Sequence, residues 1–390
     1  MTYHDKSIGP KFTTWAEIDL SAIAHNVREL RRVTNPGARL MVAVKANGYG
    51  HGAVPTARIA LANGATDVGV ARMEEGIALR RVGISAPVLV FGYTPAQHVP
   101  QLIAYQLTPA VYSLEHAQAL SAAALAAGQQ LPIHVKVDTG MGRLGLPCDE
   151  LRLAGLPQAG EEIIRVAALK GVRLQGIFTH FATADHADLG YARAQFERFQ
   201  KLLAELKSAG CVTPLRHAAN SGAIMQLPET HLDMVRAGIS VYGLYPSGEV
   251  NRATIDLKPA MTLKSTIIQL KQVPAGACIS YGCTYKTPAP TTIATVSVGY
   301  ADGYSRGLSN KGTMLAGGCR APIVGRVCMD LTMIDVGRIP NVSVGDEVVL
   351  VGCQGETEIS ADEVAATLGT INYEVVSALT ERVERIYIKR

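Results

Sequence analysis

Over its first two-thirds the chain alternates short β-branched or apolar runs with longer stretches whose apolar residues recur every three or four positions. Runs bounded by Gly, Pro, Asn or charge predict strands near Leu40–Val44, Asp67–Ala71, Pro87–Phe91, Leu107–Val111, Ile133–Val137, Leu174–Phe178, Pro214–His217 and Asp233–Arg236. Between them, Ser113–Ala127 opens on a serine with Glu115 two residues on. Tyr191–Ala209 carries Phe196, Phe199, Leu202, Leu203 and Leu206 at helical spacing. Strand–helix alternation predicts a parallel sheet, and roughly eight such units predict a closed (β/α)8 TIM-type barrel, although an open doubly wound sheet fits the same alternation.

From about Arg252 the texture changes. Thr262–Val273, Thr291–Val298, Ala321–Met333 and Glu347–Val351 are rich in Thr, Val and Ile and separated by Gly, Pro and Asn. One helix is expected over Ser360–Leu379, followed by a closing strand over Arg382–Ile388. The expected plan is an N-terminal extension (1–11), a barrel (12–250) and a mostly β C-terminal domain (251–390). The segment Phe12–Leu20 leads into the barrel, with Ser21 as N-cap of the first helix.

Composition narrows this picture. A chain of 390 residues exceeds an ordinary single core, and 48% hydrophobic with 18% charged residues is globular. The net charge of +4 is spread out, so nucleic acid and membranes are not the expected partners. Met1–Lys11 lacks the apolar core of a secretion signal, and the expected location is the cytoplasm. Seven scattered cysteines without a C-x-x-C pair argue against a disulfide framework and a structural metal site.

In a barrel of this kind, reactive groups collect where strands end and βα loops begin. Lys45 follows four apolar residues and precedes Asn47-Gly48-Tyr49-Gly50-His51. A lysine stem buried at a strand end loses its proton readily and suits attack on a carbonyl, although snorkelling to solvent explains the spacing equally well. Ser221-Gly222 and Gly238-Ile239 follow strands seven and eight, where barrels often bind phosphate; ordinary turn chemistry is the plainer alternative. Gly140-Met141-Gly142-Arg143-Leu144-Gly145 spells G-x-G-x-x-G, but Pro147 prevents the helix a dinucleotide turn needs, so the match is a decoy. His180 and His217 each end a strand and by themselves read as hydrogen-bonded structural groups. Cys328-Met329-Asp330 by itself reads as a buried thiol beside a turn aspartate.

Taken together these segments stop being generic. Ala43 to Gly52 resembles the cofactor-lysine signature of alanine racemases. The likeness continues through Lys136–Gly145, His217–Gly222, Arg236–Pro246, Ser280–Gly282, Gly299–Tyr304, Gly325–Asp330 and Ile371–Glu374. It implies a head-to-tail homodimer of barrel plus β domain using pyridoxal 5′-phosphate to interconvert L- and D-alanine, for cell-wall precursor synthesis or alanine catabolism. Lys45 would hold the cofactor covalently and serve one face of the substrate. Tyr281, from the partner subunit, would serve the other. The phosphate would meet Tyr49, Ser221, Gly238, Ile239 and Tyr373. Arg236 would face the pyridine nitrogen, with His180 near the ring and His217 and Asn220 in support. Arg143 and the Met329 backbone would bind the substrate carboxylate. Lys136 would be a carbamylation site orienting Arg143, and Cys328 and Asp330 would support the site. Tyr300, with Tyr304, Arg306, Arg326 and Tyr373, would narrow the entry.

Three rivals follow from the same residues. A non-catalytic pyridoxal-phosphate carrier would have no use for the β domain with Tyr281 and Met329. A barrel-type amino-acid decarboxylase would place a carboxylate at the ring nitrogen, where this chain offers Arg236. A racemase of broader specificity, acting on serine, lysine or arginine, differs only in pocket width, and one methylene is worth about 1–3 kcal/mol of selectivity.

Overall fold

The structure, a computed structural model, describes residues 13–153 and 157–389; the expected extension 1–11 lies outside them. The chain divides into two compact units. One comprises residues 23–48 and 53–258, the other residues 13–22, 49–52 and 259–389.

The first unit is a parallel barrel. Its eight strands are Arg39–Ala43, Asp67–Val70, Val88–Val90, Leu107–Val111, Leu131–Asp138, Val172–Phe178, Arg216–His217 and Met234–Ala237. The first seven pair in parallel, each with the next, and the eighth pairs with the first through Met234↔Arg39. The seam between the last two is joined by Asp233 N–H to Arg216 O (3.1 Å) and Arg236 N–H to Ala219 O (2.9 Å). Both faces of such strands are covered, which is why they read as continuous apolar runs rather than alternating ones. Met41, Leu89 and Met234 form a buried cluster with Phe91 and Leu215 packed on it. Ser113 caps the helix Leu114–Ala126 by accepting the His116 N–H at 3.1 Å. The helix Gly190–Ser208 buries Phe196, Phe199, Leu202 and Leu206, while Leu203 is only partly covered.

The second unit is built on a mixed sheet in the order Cys319–Pro322, Thr313–Ala316, Glu347–Gln354, Met261–Val273, Thr14–Asp19, Glu384–Ile388. Thr14–Asp19 is therefore a strand of this sheet, antiparallel to Met261–Val273 and parallel to Glu384–Ile388. Three local expectations need correction. The first helix, Leu20–Val33, is capped by Asp19, not Ser21: Asp19 Oδ1 accepts the Ser21 and Ala22 N–H groups at 2.8 and 3.2 Å. The run Ala321–Met333 is not one strand, because the chain folds back through Gly325–Leu331, with Val324 N–H on Met333 O and Cys328 N–H on Leu331 O. Ser360–Leu379 is two helices, Ala361–Leu368 and Asn372–Ser377. Gly369 ends the first in the left-handed region (φ 70°), a conformation its missing Cβ permits. Among the described residues no helix is long and apolar enough to cross a membrane.

Candidate active site

The chain leaves the first barrel strand at Lys45 through an uncommon turn. Ala46, Asn47, Gly48 and Tyr49 all have positive φ (51°, 51°, 63° and 49°), forming one turn of left-handed helix. Such backbone costs roughly 1–2 kcal/mol per ordinary L-residue. Hydrogen bonds offset it: Gly48 N–H to Val44 O (2.8 Å), Ala46 N–H to Glu75 Oε1 (2.7 Å) and Ala53 N–H to Asn47 Oδ1 (3.0 Å). The Lys45 side chain is partly buried, and its ammonium is held below the usual lysine range. Burial contributes most, then the Arg143 charge, with Glu75 opposing.

Cations concentrate at this end of the barrel. Lys136, on the fifth strand, is 5% exposed. Burial, then Arg143 and Arg236, brings its amine down to about 8, against an opposing pull from Asp138. Arg143 itself is exposed on the loop that follows. Arg236, on the eighth strand, is buried and donates to four acceptors: His217 Nδ1 (3.0 Å), His180 Nδ1 (3.2 Å), Thr179 O (2.7 Å) and Ala218 O (2.9 Å). Its guanidinium carbon lies 5.3 Å from the Phe178 ring centroid. Burial and the Arg236 charge keep His180 and His217 neutral, well below the usual imidazole range. Lys45, Lys136, Arg143 and Arg236 thus form a group suited to anions, two of its members being amines that release protons easily.

The loops after strands seven and eight are tied together, since Gly238 N–H donates to Ser221 Oγ at 2.9 Å. Asn220 caps the short helix Ser221–Gln226 through Ala223 N–H (3.1 Å), and Ile239 is buried at the start of the turn Ile239–Tyr242. The G-x-G-x-x-G segment leads to a two-residue strand, Leu146–Pro147, and not to a helix. Its Gly140, Met141 and Gly142 amides all donate to Asp138 Oδ1 (2.9, 2.8 and 3.1 Å), so they serve their own chain.

The remaining candidates belong to the second unit. Tyr49 and Tyr373 face one another, ring centroids 6.2 Å apart. Tyr281 is 71% and Met329 53% exposed. The loops that carry them are joined because Ser280 Oγ donates to Arg326 O (2.6 Å) and lies 3.4 Å from Cys328 Sγ. Tyr300 N–H bonds Cys328 O (3.0 Å), and Ala301 N–H bonds Met329 O (2.9 Å). Asp330 pairs with Arg382 at 2.7 Å. Tyr304, expected near an entry, is buried, and burial raises its phenol well above the usual range.

Three contributors were missed from sequence. Glu75 holds the turn after Lys45. Tyr242, fully buried, donates to Ala43 O at 2.9 Å and so fixes the end of the first strand. His134 lies 2.9 Å from His217, Nδ1 to Nε2. The signal for His134 was present: His134, Lys136 and Asp138 alternate within one otherwise apolar run, which puts all three on one strand face.

Known proteins resemble this chain along its length. The family models for the alanine racemase N-terminal and C-terminal domains match residues 18–246 and 260–387. The alanine racemase of Desulfosudis oleivorans is 55% identical, over 96% of this chain and 97% of that one. Among solved structures, the alanine racemase of Clostridium difficile 630 superposes with TM-score 0.91 at 40% identity, covering 97% of each chain. That of Bartonella henselae, with covalently bound pyridoxal phosphate, gives 0.85 at 28% identity, covering 97% of this chain and 100% of that one.

Proposed function

The chain belongs to the alanine racemase family of isomerases, and from that premise we propose that it interconverts L- and D-alanine with pyridoxal 5′-phosphate, using Lys45 and the partner subunit's Tyr281 as its two bases. The observation that supports this best is the cation group at the barrel's strand ends, where Lys45 sits with its proton loosened by burial and by Arg143. The residues present fit the cofactor. Lys45 would hold it covalently, and Tyr49, Ser221, Gly238, Ile239 and Tyr373 would hold its phosphate. Ser221, whose oxygen takes the Gly238 amide, keeps its O–H to donate. When bound, the cofactor supplies the electron-withdrawing system that acidifies the substrate Cα–H.

The protein's own groups do the rest. Arg236 has only donors, so facing the pyridine nitrogen it would leave that atom unprotonated and moderate the electron demand on Cα. Burial brings it down to about 9, still charged at neutral pH, and its four acceptors hold it in one orientation. Arg143 and the Met329 N–H would bind the substrate carboxylate, with Lys136, as a carbamate, orienting Arg143. Asn220 caps the phosphate loop, and Cys328 supports the Met329 loop through Ser280. Asp330 is committed to Arg382, a network partner rather than a proton carrier. Lys45 Nζ would take the proton from one face of Cα, and Tyr281 Oη would return one to the other. A phenol of ordinary pKa, near 10, needs a cationic surrounding to act so at neutral pH, and Arg236, hydrogen-bonded to the neutral His180, would provide it. The high exposure of Tyr281 within its own chain suits a side chain that completes the site of a second copy in a homodimer. Tyr300, exposed beside the Met329 loop, would stand at the entry.

The test is Tyr281→Phe with L-alanine, L-serine and L-lysine as separate substrates. Cofactor absorbance should be unchanged, and D-alanine formation should fall about 10²–10⁴-fold, the usual worth of a general base. Undiminished turnover would remove Tyr281 from the mechanism. Release of CO2 would overturn the reaction class.

A further inference from the structure

Arg236 reaches beyond its own partners through a second histidine. Its Nη1 lies 3.0 Å from His217 Nδ1, and His217 Nε2 lies 2.9 Å from His134 Nδ1. A guanidinium has no acceptor, so His217 Nδ1 must accept and carries no hydrogen. The neutral ring therefore holds its proton on Nε2 and donates it to His134 Nδ1, which leaves the proton of His134 on its own Nε2. Each ring is forced into one tautomer. Protonation offers no escape at neutral pH, because burial foremost, then Arg39 and Arg236, brings His134 down to about 3. His217, stacked on Phe178 with centroids 4.7 Å apart, is held from its flat side as well.

The strand geometry makes room for this contact. His134 is in register with Gly176, at an irregularity where the ladder slips by one residue. A Cβ at Gly176 would lie 2.7 Å from both Cε1 and Nδ1 of His134, closer than side chains approach. Only a position without a side chain lets the imidazole lie across its neighbour strand toward His217.

We propose that His134 is a positioning residue: by accepting from His217 Nε2 it selects the His217 tautomer that can accept from Arg236, and so fixes the guanidinium in the plane from which it meets the cofactor ring. The last clause rests on the placement of Arg236 proposed above; the tautomer assignment does not. Without an acceptor at His134, the His217 proton can settle on Nδ1, where it would face a donor and break the bond to Arg236.

The test uses holoenzyme with 15N-labelled histidine and two-bond 15N–1H correlation spectra, which separate protonated from bare ring nitrogens. In the native protein His217 should show a bare Nδ1 and a protonated Nε2. His134→Leu should introduce Nδ1-protonated His217 and lower kcat about three- to tenfold, the size of one hydrogen bond, with KM for alanine little moved. His134→Asn, whose Oδ1 replaces the lost acceptor, should restore both readouts, and Gly176→Ala should reproduce the leucine phenotype. A His217 that carries its proton on Nδ1 in the native protein overturns the proposal. So does a leucine variant with native tautomer and native kcat. If the tautomer shifts while kcat does not, the relay stands and Arg236 loses its assigned place at the ring. The native spectrum decides the tautomer even if the leucine variant fails to fold.

Discussion

Lys136 offers a quantitative test of the cation group. It is 5% exposed, and its amine is brought down to about 8 by burial and by Arg143, Arg236 and Lys45. At pH 7.5 about a quarter of such side chains are neutral, against about one in a thousand for an ordinary lysine. Only the neutral amine adds CO2, so Lys136 should be carbamylated some 200-fold more readily, turning a cation beside Arg143 into an anion. The same shift makes a statement about stability. Between pH 8 and about 10.4 the folded chain holds fewer protons at Lys136 than the unfolded one. The penalty, about 3 kcal/mol, is therefore full below pH 8 and fades as pH rises toward 10.4. Carbamylation would remove the ammonium, and with it this penalty, at neutral pH. The assay is 13C NMR of the protein in 13C-bicarbonate, titrated from pH 7 to 9. A carbamate resonance should be present in the native protein and absent in Lys136→Met. That variant should also resist urea better than the native protein in CO2-free buffer at pH 7, and its KM for alanine should rise. No carbamate signal at pH 8 in excess bicarbonate would refute the reasoning.

Two further outcomes can be stated briefly. Tyr242→Phe removes the hydroxyl that bonds Ala43 O inside the barrel and should lower stability by about 1–2 kcal/mol, read from the urea midpoint; an unmoved midpoint would show that the carbonyl is satisfied otherwise. Gly222→Ala puts a Cβ 2.6 Å from Ala184 O, which must displace the Ser221 loop. Affinity for pyridoxal phosphate should fall about tenfold, measured by fluorescence titration at unchanged far-UV dichroism, and an unaltered affinity would take that loop out of phosphate binding.

The barrel was legible because its strands are covered on both faces, so that Leu40–Ala43 or Val88–Val90 stands out as an apolar run between polar helix faces. Ser113 was legible for a different reason, since a side-chain cap is a local event. The errors share a cause in longer-range or backbone terms. Thr14–Asp19 looks like a lead-in to the barrel because nothing local reveals that its partners are residues 261–265 and 384–388. The apolar spacing of Ser360–Leu379 continues through Gly369, whose left-handed φ is set by capping rather than by periodicity. At the candidate site, Lys45 and Ser221 were legible as polar residues at strand ends, and Arg236 and Lys136 through the family resemblance. His134 escaped notice because it sits within a strand and acts through His217, a link that exists only across three strands.

The division of the chain into its two units has a consequence for how such a protein can be inherited. The covalent path changes unit at residues 22/23, 48/49, 52/53 and 258/259, so neither body is one continuous stretch of sequence. A break at the apparent boundary near 258 would hand one descendant a whole barrel body carrying residues 13–22 and 49–52 without the sheet they belong to. The other would receive a sheet missing its Thr14–Asp19 strand, which lies between Met261–Val273 and Glu384–Ile388. Neither unit can therefore be passed on whole as one continuous stretch of sequence.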